Sequence, residues 1–482
     1  MTEASTRPLW QRSATELAAA IRERQVSAVE VTEAHLERIR AVNPTINALV
    51  DFDEDTVREA ARAADQAVAA AEPLGPLHGV PVSIKINTDE QGAATTNGLP
   101  AYADDVAPKD AAVTALVRRA GAVLVGRNNV PQFSFRWFSE NPLHGRSFNP
   151  WDETRTPGGS SGGAAGAVAA GMVPLAHGND IGGSIRYPSY ACGVAGIRPT
   201  VGRVPADFGW RDLDRPQSIA DELMCVHGPI ARTVDDLELG LRVMSGFDAR
   251  DAVGVPPHAE PAQPVRRIGV VRDPGVLAPD PALVGALDAA AGWFDDAGIE
   301  VVDLDLPDLA DAHRLWGLLL LEEMREMRGL MNQFGDDVAR AAMDHMIEHA
   351  VADWGVDVSA KAYFAGWTRR NEIVARLGEL FESTPVIMTP PSARPAFVHG
   401  TDTAGDERTR EMHDAQWPQK SLPVLGLPGV AVPTGVIDGV PTGVQLFGAR
   451  FSDETLLDVA RIVERRAGTF TPIDPWGAAL GN

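Results

Sequence analysis

Two serines lie in separate glycine-rich runs, Gly158-Gly159-Ser160-Ser161-Gly162-Gly163 and Asp180-Ile181-Gly182-Gly183-Ser184-Ile185-Arg186. A serine hydroxyl attacks a carbonyl only when a neighbour takes its proton, so the pair reads as a nucleophile and a proton relay. The residues before Ser184 carry little side chain. Their backbone N–H groups are free to converge on one point, which is how an oxyanion hole is built. Either run alone would be an ordinary glycine turn with a surface serine; two of them shift the balance.

Two other chemistries compete for the first run. Gly158-Gly159-Ser160-Ser161-Gly162 fits the G-x-S-x-G elbow of an esterase, which needs a strand in front of it. The preceding residues, Asn149-Pro150-Trp151-Asp152-Glu153-Thr154-Arg155-Thr156-Pro157, are polar with two prolines and do not read as a buried strand. A phosphate-binding loop needs a lysine after its last glycine, and Ala164-Ala165 stands there. The second run has better surroundings, because Met172-Val173-Pro174-Leu175-Ala176 reads as a short apolar strand leading to it.

The base is the next question. None of the 11 histidines lies in a recognisable catalytic setting: His177, His399 and His413 read as surface or satisfied core residues. In Val82-Ser83-Ile84-Lys85-Ile86-Asn87 the apolar residues alternate with polar ones, a strand period that puts Lys85 on one face with Ser83 and Asn87. Lysine is rarely buried without a partner. To act as a base, Lys85 must lose its proton well below the usual pKa near 10.4, which burial would achieve.

These residues resemble the amidase signature family of serine hydrolases. The lysine segment Pro76-Leu77-His78-Gly79-Val80-Pro81, the continuation Ala191-Cys192-Gly193-Val194-Ala195-Gly196-Ile197-Arg198-Pro199-Thr200, and the late runs Gly426-Leu427-Pro428-Gly429-Val430-Ala431-Val432-Pro433 and Leu446-Phe447-Gly448 extend the match over almost the whole chain. The resemblance implies an α/β fold in one large domain, with a mixed, twisted central β-sheet covered by helices on both faces. It implies a Ser-cisSer-Lys triad of Ser184 as nucleophile, Ser160 as relay on a cis peptide bond after Gly159, and Lys85 as base. It also implies an oxyanion hole from the N–H groups of Ile181, Gly182, Gly183 and Ser184, braced by Ser161, Asp180 and Arg186. The expected activity is hydrolysis of small hydrophobic or aryl amides through a serine acyl-enzyme, with carbamates and esters as variants and no metal or cofactor. The alternatives are a glutaminase-like subunit of a transamidation complex and a G-x-S-x-G esterase of another fold using Ser160.

This chain departs from the family pattern at Ile86, Ile181, Gln132 and Pro423, where aspartate, threonine, glutamate and asparagine are common. Each change removes a polar group near the expected site, through either a more apolar pocket or drift in packing. Phe133, Phe135, Trp137 and Phe138 crowd the segment before the first run, while Trp316, Leu320, Met324, Met327 and Met331 form a stripe at helical spacing. A stripe of this kind is core, or else the wall of an aryl-binding funnel.

The elements that must position these residues are spread along the chain, so one interleaved domain over 1–482 is expected. It divides into a helical region at 1–70, a signature core at 75–245, a substrate-side elaboration at 246–384 and the rest of the core at 385–482. Capping boxes are expected at Ser13 with Glu16 and Ser27 with Glu30, and a surface connector at Val255-Pro256-Pro257-His258-Ala259-Glu260-Pro261. With 482 residues and 44% hydrophobic content the chain can bury a large core. A formal charge of -23 disfavours nucleic acid and anionic membranes as partners. Two cysteines, Cys192 and Cys225, imply no disulfide framework. Met1-Thr2-Glu3-Ala4-Ser5 shows no basic-then-apolar leader and Leu318-Leu319-Leu320-Leu321 is too short to span a bilayer. The expectation is a cytoplasmic monomer or homodimer acting on a small amide or carbamate and water.

Overall fold

Ser13 and Ser27 each accept a hydrogen bond from the amide three residues on, and Glu16 and Glu30 return one to the serine amides, so both expected capping boxes form. They start the helices Ala14–Arg22 and Ala28–Ile46, and Asp53 caps a third, Glu54–Ala69. The computed structural model describes residues 7–206, 218–256, 261–355 and 358–476. Met1 to Ser5 and the connector residues Pro257 to Glu260 lie outside the described residues.

Among the described residues thirteen strands follow in chain order: β1 Leu49–Asp51, β2 Pro81–Lys85, β3 Val123–Asn128, β4 Glu140–Asn141, β5 Gly145–Arg146, β6 Leu175–Asp180, β7 Ala195–Arg198, β8 Val226–Ala231, β9 Arg267–Val270, β10 Glu300–Asp303, β11 Val386–Thr389, β12 Gly429–Ile437 and β13 Val440–Gly448. β4 and β5 pair with each other; the other eleven form one sheet in the order β1-β3-β2-β6-β8-β7-β12-β13-β11-β9-β10. The sheet is mixed: β3/β2, β2/β6, β11/β9 and β9/β10 are parallel and the remaining pairs antiparallel.

Neighbouring residues along a central strand enter different cores, as the two-residue period of a strand requires. Val386 and Met388 join one apolar cluster with the helices Pro281–Asp296 and Asp453–Ala467, while Ile387 between them joins another with the helices Asp308–Leu319, Leu321–Phe334 and Trp417–Leu425. Each such fully buried side chain is worth about 1.5–3 kcal/mol relative to exposure. The molecule is therefore the expected α/β fold, a mixed sheet with helices on both faces.

Two local readings change. The strand leading to Ser184 begins at Leu175 rather than Met172 and continues through Gly178 and Asn179 to Asp180, because β6 is interior, between β2 and β8. β2 is buried on both faces, Ser83 and Lys85 included. The segment 246–384 supplies β9 and β10 at the sheet edge and four helices from Asp308 to Ser383. Among the described residues, no helix is long and apolar enough to cross a membrane.

Candidate active site

Lys85 ends β2 in the interior of the sheet, and its side chain is fully buried. Its Nζ lies 2.7 Å from Ser160 Oγ and 2.5 Å from Asn179 Oδ1. Asn179 is oriented by its own neighbours: its Nδ2 donates to Asn87 Oδ1 at 3.0 Å, and Asn87 Nδ2 donates to Ser134 Oγ at 3.0 Å. That chain commits Asn179 Oδ1 to accepting from Lys85. Burial brings the Lys85 amine down to about 7, against the weaker opposing pull of the Asp180 charge. A neutral amine has one lone pair, and with Asn179 taking an N–H that lone pair is free to accept the Ser160 proton.

His177 is not the base. Its Nδ1 accepts the Lys85 backbone N–H at 3.3 Å, and its Nε2 is 2.9 Å from His227 Nδ1. Burial above all holds His177 neutral, and burial with the nearby Lys85 amine brings His227 to about 3. Near neutral pH the titration in this part of the core belongs to Lys85.

Ser160 follows a cis peptide bond from Gly159 and stands just before the helix Gly162–Ala169. Gly159 presses on the Arg136 backbone so closely that a Cβ would stand 2.3 Å from its carbonyl oxygen. No strand runs into this loop from 147 to 161, as the two prolines imply. The two serine loops are joined through Ser161, whose N–H donates to Ser184 O at 3.2 Å and whose Oγ donates to Asn179 O at 3.4 Å. Ser160 and Ser184 border the same cleft.

Asp180 organises the turn that carries Ser184. Its carboxylate accepts the N–H groups of Gly183 at 2.9 Å and Ile185 at 3.2 Å, and both Nε and Nη2 of Arg186 at 3.0 Å. Arg186 reaches on to Gln445 Oε1 at 2.7 Å and Gln419 O at 2.8 Å, and Arg198 donates to Asp180 O at 2.6 Å. Burial alone would raise the Asp180 pKa, but the Arg186 and Arg198 charges outweigh it and hold the carboxyl at about 2. The Gly183 N–H, one of the four amides of the expected oxyanion set, is thus engaged by Asp180.

Asp180→Asn is expected to cost about 3–5 kcal/mol of stability, because it strands two buried guanidinium groups. A denaturant melt at neutral pH checks this, and an unchanged midpoint would contradict the brace. The folded Asp180 binds its proton less readily than the unfolded chain does. Its contribution is therefore complete above the ordinary carboxyl range and is lost as pH falls through about 2.

The cleft holds about 380 Å³, within the range of small-molecule sites. Tyr102, Phe133, Phe135, Ile181 and Met327 give it an apolar wall, and Asp89, Asp105, Asp110, Asp221, Lys109 and Arg250 also border it. The lining is therefore mixed, apolar and charged, rather than uniformly apolar. Of the four departures from the family pattern, Ile181 borders the cleft, whereas Gln132 Oε1 accepts the Asp336 N–H at 3.1 Å, Ile86 is core and Pro423 lies inside the helix Trp417–Leu425.

The expected aromatic residues divide as well. Phe133, Phe135 and Met327 border the cleft; Phe138 stacks on Phe397 and Met324 is core; Trp137 and Trp316 donate to the carbonyls of Gly182 and Ile181. The stripe is therefore mostly core, since it spans two helices with a break at Leu320.

Sequence reasoning missed Asn179, Cys225 and His227, which meet Lys85 or the cleft only because β6 and β8 lie next to each other beside β2. It also missed a cluster in which the buried His313 and the half-buried Asp353 and Asp414 bring a ring nitrogen and two carboxylate oxygens within 4.8 Å of one another. Arg410 pairs with both carboxylates there.

Fold and comparisons together define the class as an amide hydrolase of the amidase family. The chain belongs to the amidase family, the amidase signature enzymes, whose family model matches residues 30–457. It is 40% identical over 471 residues to an indoleacetamide hydrolase of Bradyrhizobium diazoefficiens, covering 96% of this chain and 87% of that protein. It is 32% identical over 496 residues to a glutamyl-tRNA(Gln) amidotransferase component of Salinispora tropica, covering 95% of this chain and 98% of that protein. Among solved structures it superposes on a bacterial aryl acylamidase of the amidase signature family with a TM-score of 0.82 at 27% identity, covering 97% and 98% of the two chains.

Proposed function

We propose that this protein hydrolyses small amides bearing an aryl group through an acyl-enzyme on Ser184, with arylacetamides such as indoleacetamide as the preferred class. The observation that carries the reading is the buried Lys85 amine within hydrogen-bonding distance of Ser160 Oγ, beside a cleft that Ser160 and Ser184 share. The aromatic wall of Tyr102, Phe133 and Phe135 suits an aryl substituent, and the likeness to an indoleacetamide hydrolase supports the same choice.

Neutral Lys85 takes the Ser160 hydroxyl proton while Ser160 takes that of Ser184, and Ser184 Oγ bonds to the amide carbon. The carbonyl electrons move to oxygen, where the amides of Ile181, Gly182 and Ser184 receive the charge. As the C–N bond breaks, the proton held on Lys85 returns through Ser160 to the departing nitrogen, which leaves as ammonia or an amine. A base that becomes the acid for the leaving group meets the main difficulty of amide cleavage. Water repeats the attack on the ester, releases the carboxylic acid and restores Ser184. Carbamates and esters offer the same carbonyl to the same attack.

The test uses the purified chain alone with indole-3-acetamide, an anilide, an aryl carbamate and glutamine. The expected result is the fastest hydrolysis, followed as carboxylic acid or amine released, with indole-3-acetamide. Activity confined to glutamine and dependent on added partner proteins would favour the transamidation reading, and faster turnover of the carbamate would move the substrate class to urethanes.

A further inference from the structure

The loop that presents Ser184 is gripped by two buried indoles. Trp316 Nε1–H donates to Ile181 O at 2.7 Å, and Trp137 Nε1–H donates to Gly182 O at 2.9 Å. The contact is tight: a Cβ on Gly182 would stand 2.9 Å from the Trp316 ring. The two indoles come from distant parts of the chain, Trp316 from the helix Asp308–Leu319 and Trp137 from the segment before the first serine loop. Between them lies Lys420, on the helix Trp417–Leu425, only 4% exposed, with Nζ 5.4 Å from the Trp316 ring centre and 5.7 Å from that of Trp137.

A buried ammonium needs compensation, and the faces of two indoles, the aromatic rings that hold cations best, supply part of it. Asp353 and Asp414 favour the charged form from the far side, while Arg410, His313, His349 and His413 complete the surroundings. Burial brings Lys420 down to about 8, so the amine is largely charged at neutral pH.

Peptide geometry links this clamp to the reaction. The Ile181–Gly182 peptide is trans, and in a planar trans peptide the C=O and N–H point in opposite directions. Anchoring Ile181 C=O on Trp316 therefore aims the Gly182 N–H away from the indole. Anchoring Gly182 C=O on Trp137 aims the Gly183 N–H the other way, where it meets Asp180 Oδ1 at 2.9 Å. A cation against the indole faces makes each indole N–H a stronger donor. That polarisation passes along the chain of hydrogen bonds into the peptide and makes the Gly182 N–H more positive.

We infer that Trp316, Trp137 and Lys420 form a positioning clamp in which Trp316, backed by Lys420, aims and polarises the Gly182 amide toward the oxyanion while Trp137 fixes the next peptide, and so set the rate of the chemical step rather than substrate affinity. The inference rests on the Ser184 acyl-enzyme reading. None of the three residues touches the reacting atoms; each acts through the loop.

Trp316→Phe keeps the ring and removes only the N–H. It is expected to lower kcat on an aryl amide about tenfold or more, less than loss of a direct oxyanion donor, while KM stays within about twofold. A trifluoromethyl ketone, whose serine adduct carries the oxyanion, should lose affinity by the same factor as kcat/KM, and the carboxylic acid product should bind as before. Lys420→Met should give a smaller fall in kcat that Lys420→Arg largely restores. If Trp316→Phe does not fold, the Lys420→Met and Lys420→Arg pair carries the test, with an unchanged kcat in Lys420→Met overturning the clamp. Unchanged kcat and ketone affinity, or a loss confined to KM, overturns the clamp. Ser184→Ala assayed alongside separates the two ideas: an inactive Ser184→Ala with a fully active Trp316→Phe sinks the clamp alone, whereas an active Ser184→Ala sinks the acyl-enzyme reading and the clamp with it.

Discussion

Lys85→Met is expected to lower kcat/KM for an aryl amide on the order of 10^4-fold or more, the scale seen when one member of a hydrolytic triad is removed. The reason is that Ser160 loses the one group it meets, among the described residues, that can take a proton near neutral pH, since burial keeps His177 and His227 neutral and poorly basic. The wild-type enzyme should show kcat/KM rising with pH about a midpoint near 7, as the buried Lys85 amine loses its proton. Residual activity of the variant should lack that limb, and a limb that persists would assign it to another group. Stability should respond differently. The folded amine releases its proton more readily than the unfolded one, so the unfolded chain binds the extra proton between about 7 and the ordinary lysine range. Stability through this group therefore rises with pH across that window, with the full penalty present below it. The methionine relieves that penalty but leaves Ser160 and Asn179 short of a partner, at about 1–3 kcal/mol each. A thermal melt at neutral pH should accordingly move by only a few degrees, separating lost chemistry from lost fold.

Ser184→Ala should abolish turnover to a similar extent and also abolish labelling by a fluorophosphonate, because the nucleophile itself is gone. Ser160→Ala should impair turnover severely yet still permit slow labelling at Ser184, since Ser160 only relays the proton and Ser184 still faces the cleft. Peptide mapping of the labelled wild type decides between the two hydroxyls. Label on Ser160 would reinstate the esterase alternative, in which the G-x-S-x-G serine attacks. The absence of any strand between 147 and 161 argues against that elbow on structural grounds.

The clamp and the triad make different demands on the same loop. Asp180 holds the turn from within through the Gly183 and Ile185 amides, whereas the indoles hold it from outside through the two carbonyls. Each peptide unit so fixed costs no reorganisation when charge develops, which is the source of most oxyanion stabilisation.

Residue types and spacing marked Lys85, Ser160 and Ser184 as candidates, to which the family resemblance gave their expected roles; they also excluded a phosphate loop through Ala164-Ala165 and marked the starts of the first two helices, because these features depend on side-chain chemistry and local backbone conformation. Only the folded chain decided the rest. Lys85 is a candidate base because β2 is interior and its amine is fully buried; alternation along 82–87 showed a face but not its depth. Asn179 acquires its role from a neighbouring strand, and the Gly183 amide is spoken for by a carboxylate three residues away. Lys420 meets Trp137 and Trp316 from segments far apart in the chain, and the acidic residues that border the cleft likewise come from separate segments. Proximity across a sheet, and the dielectric it creates, are set by which strands lie side by side, and no local pattern in a single chain encodes that order.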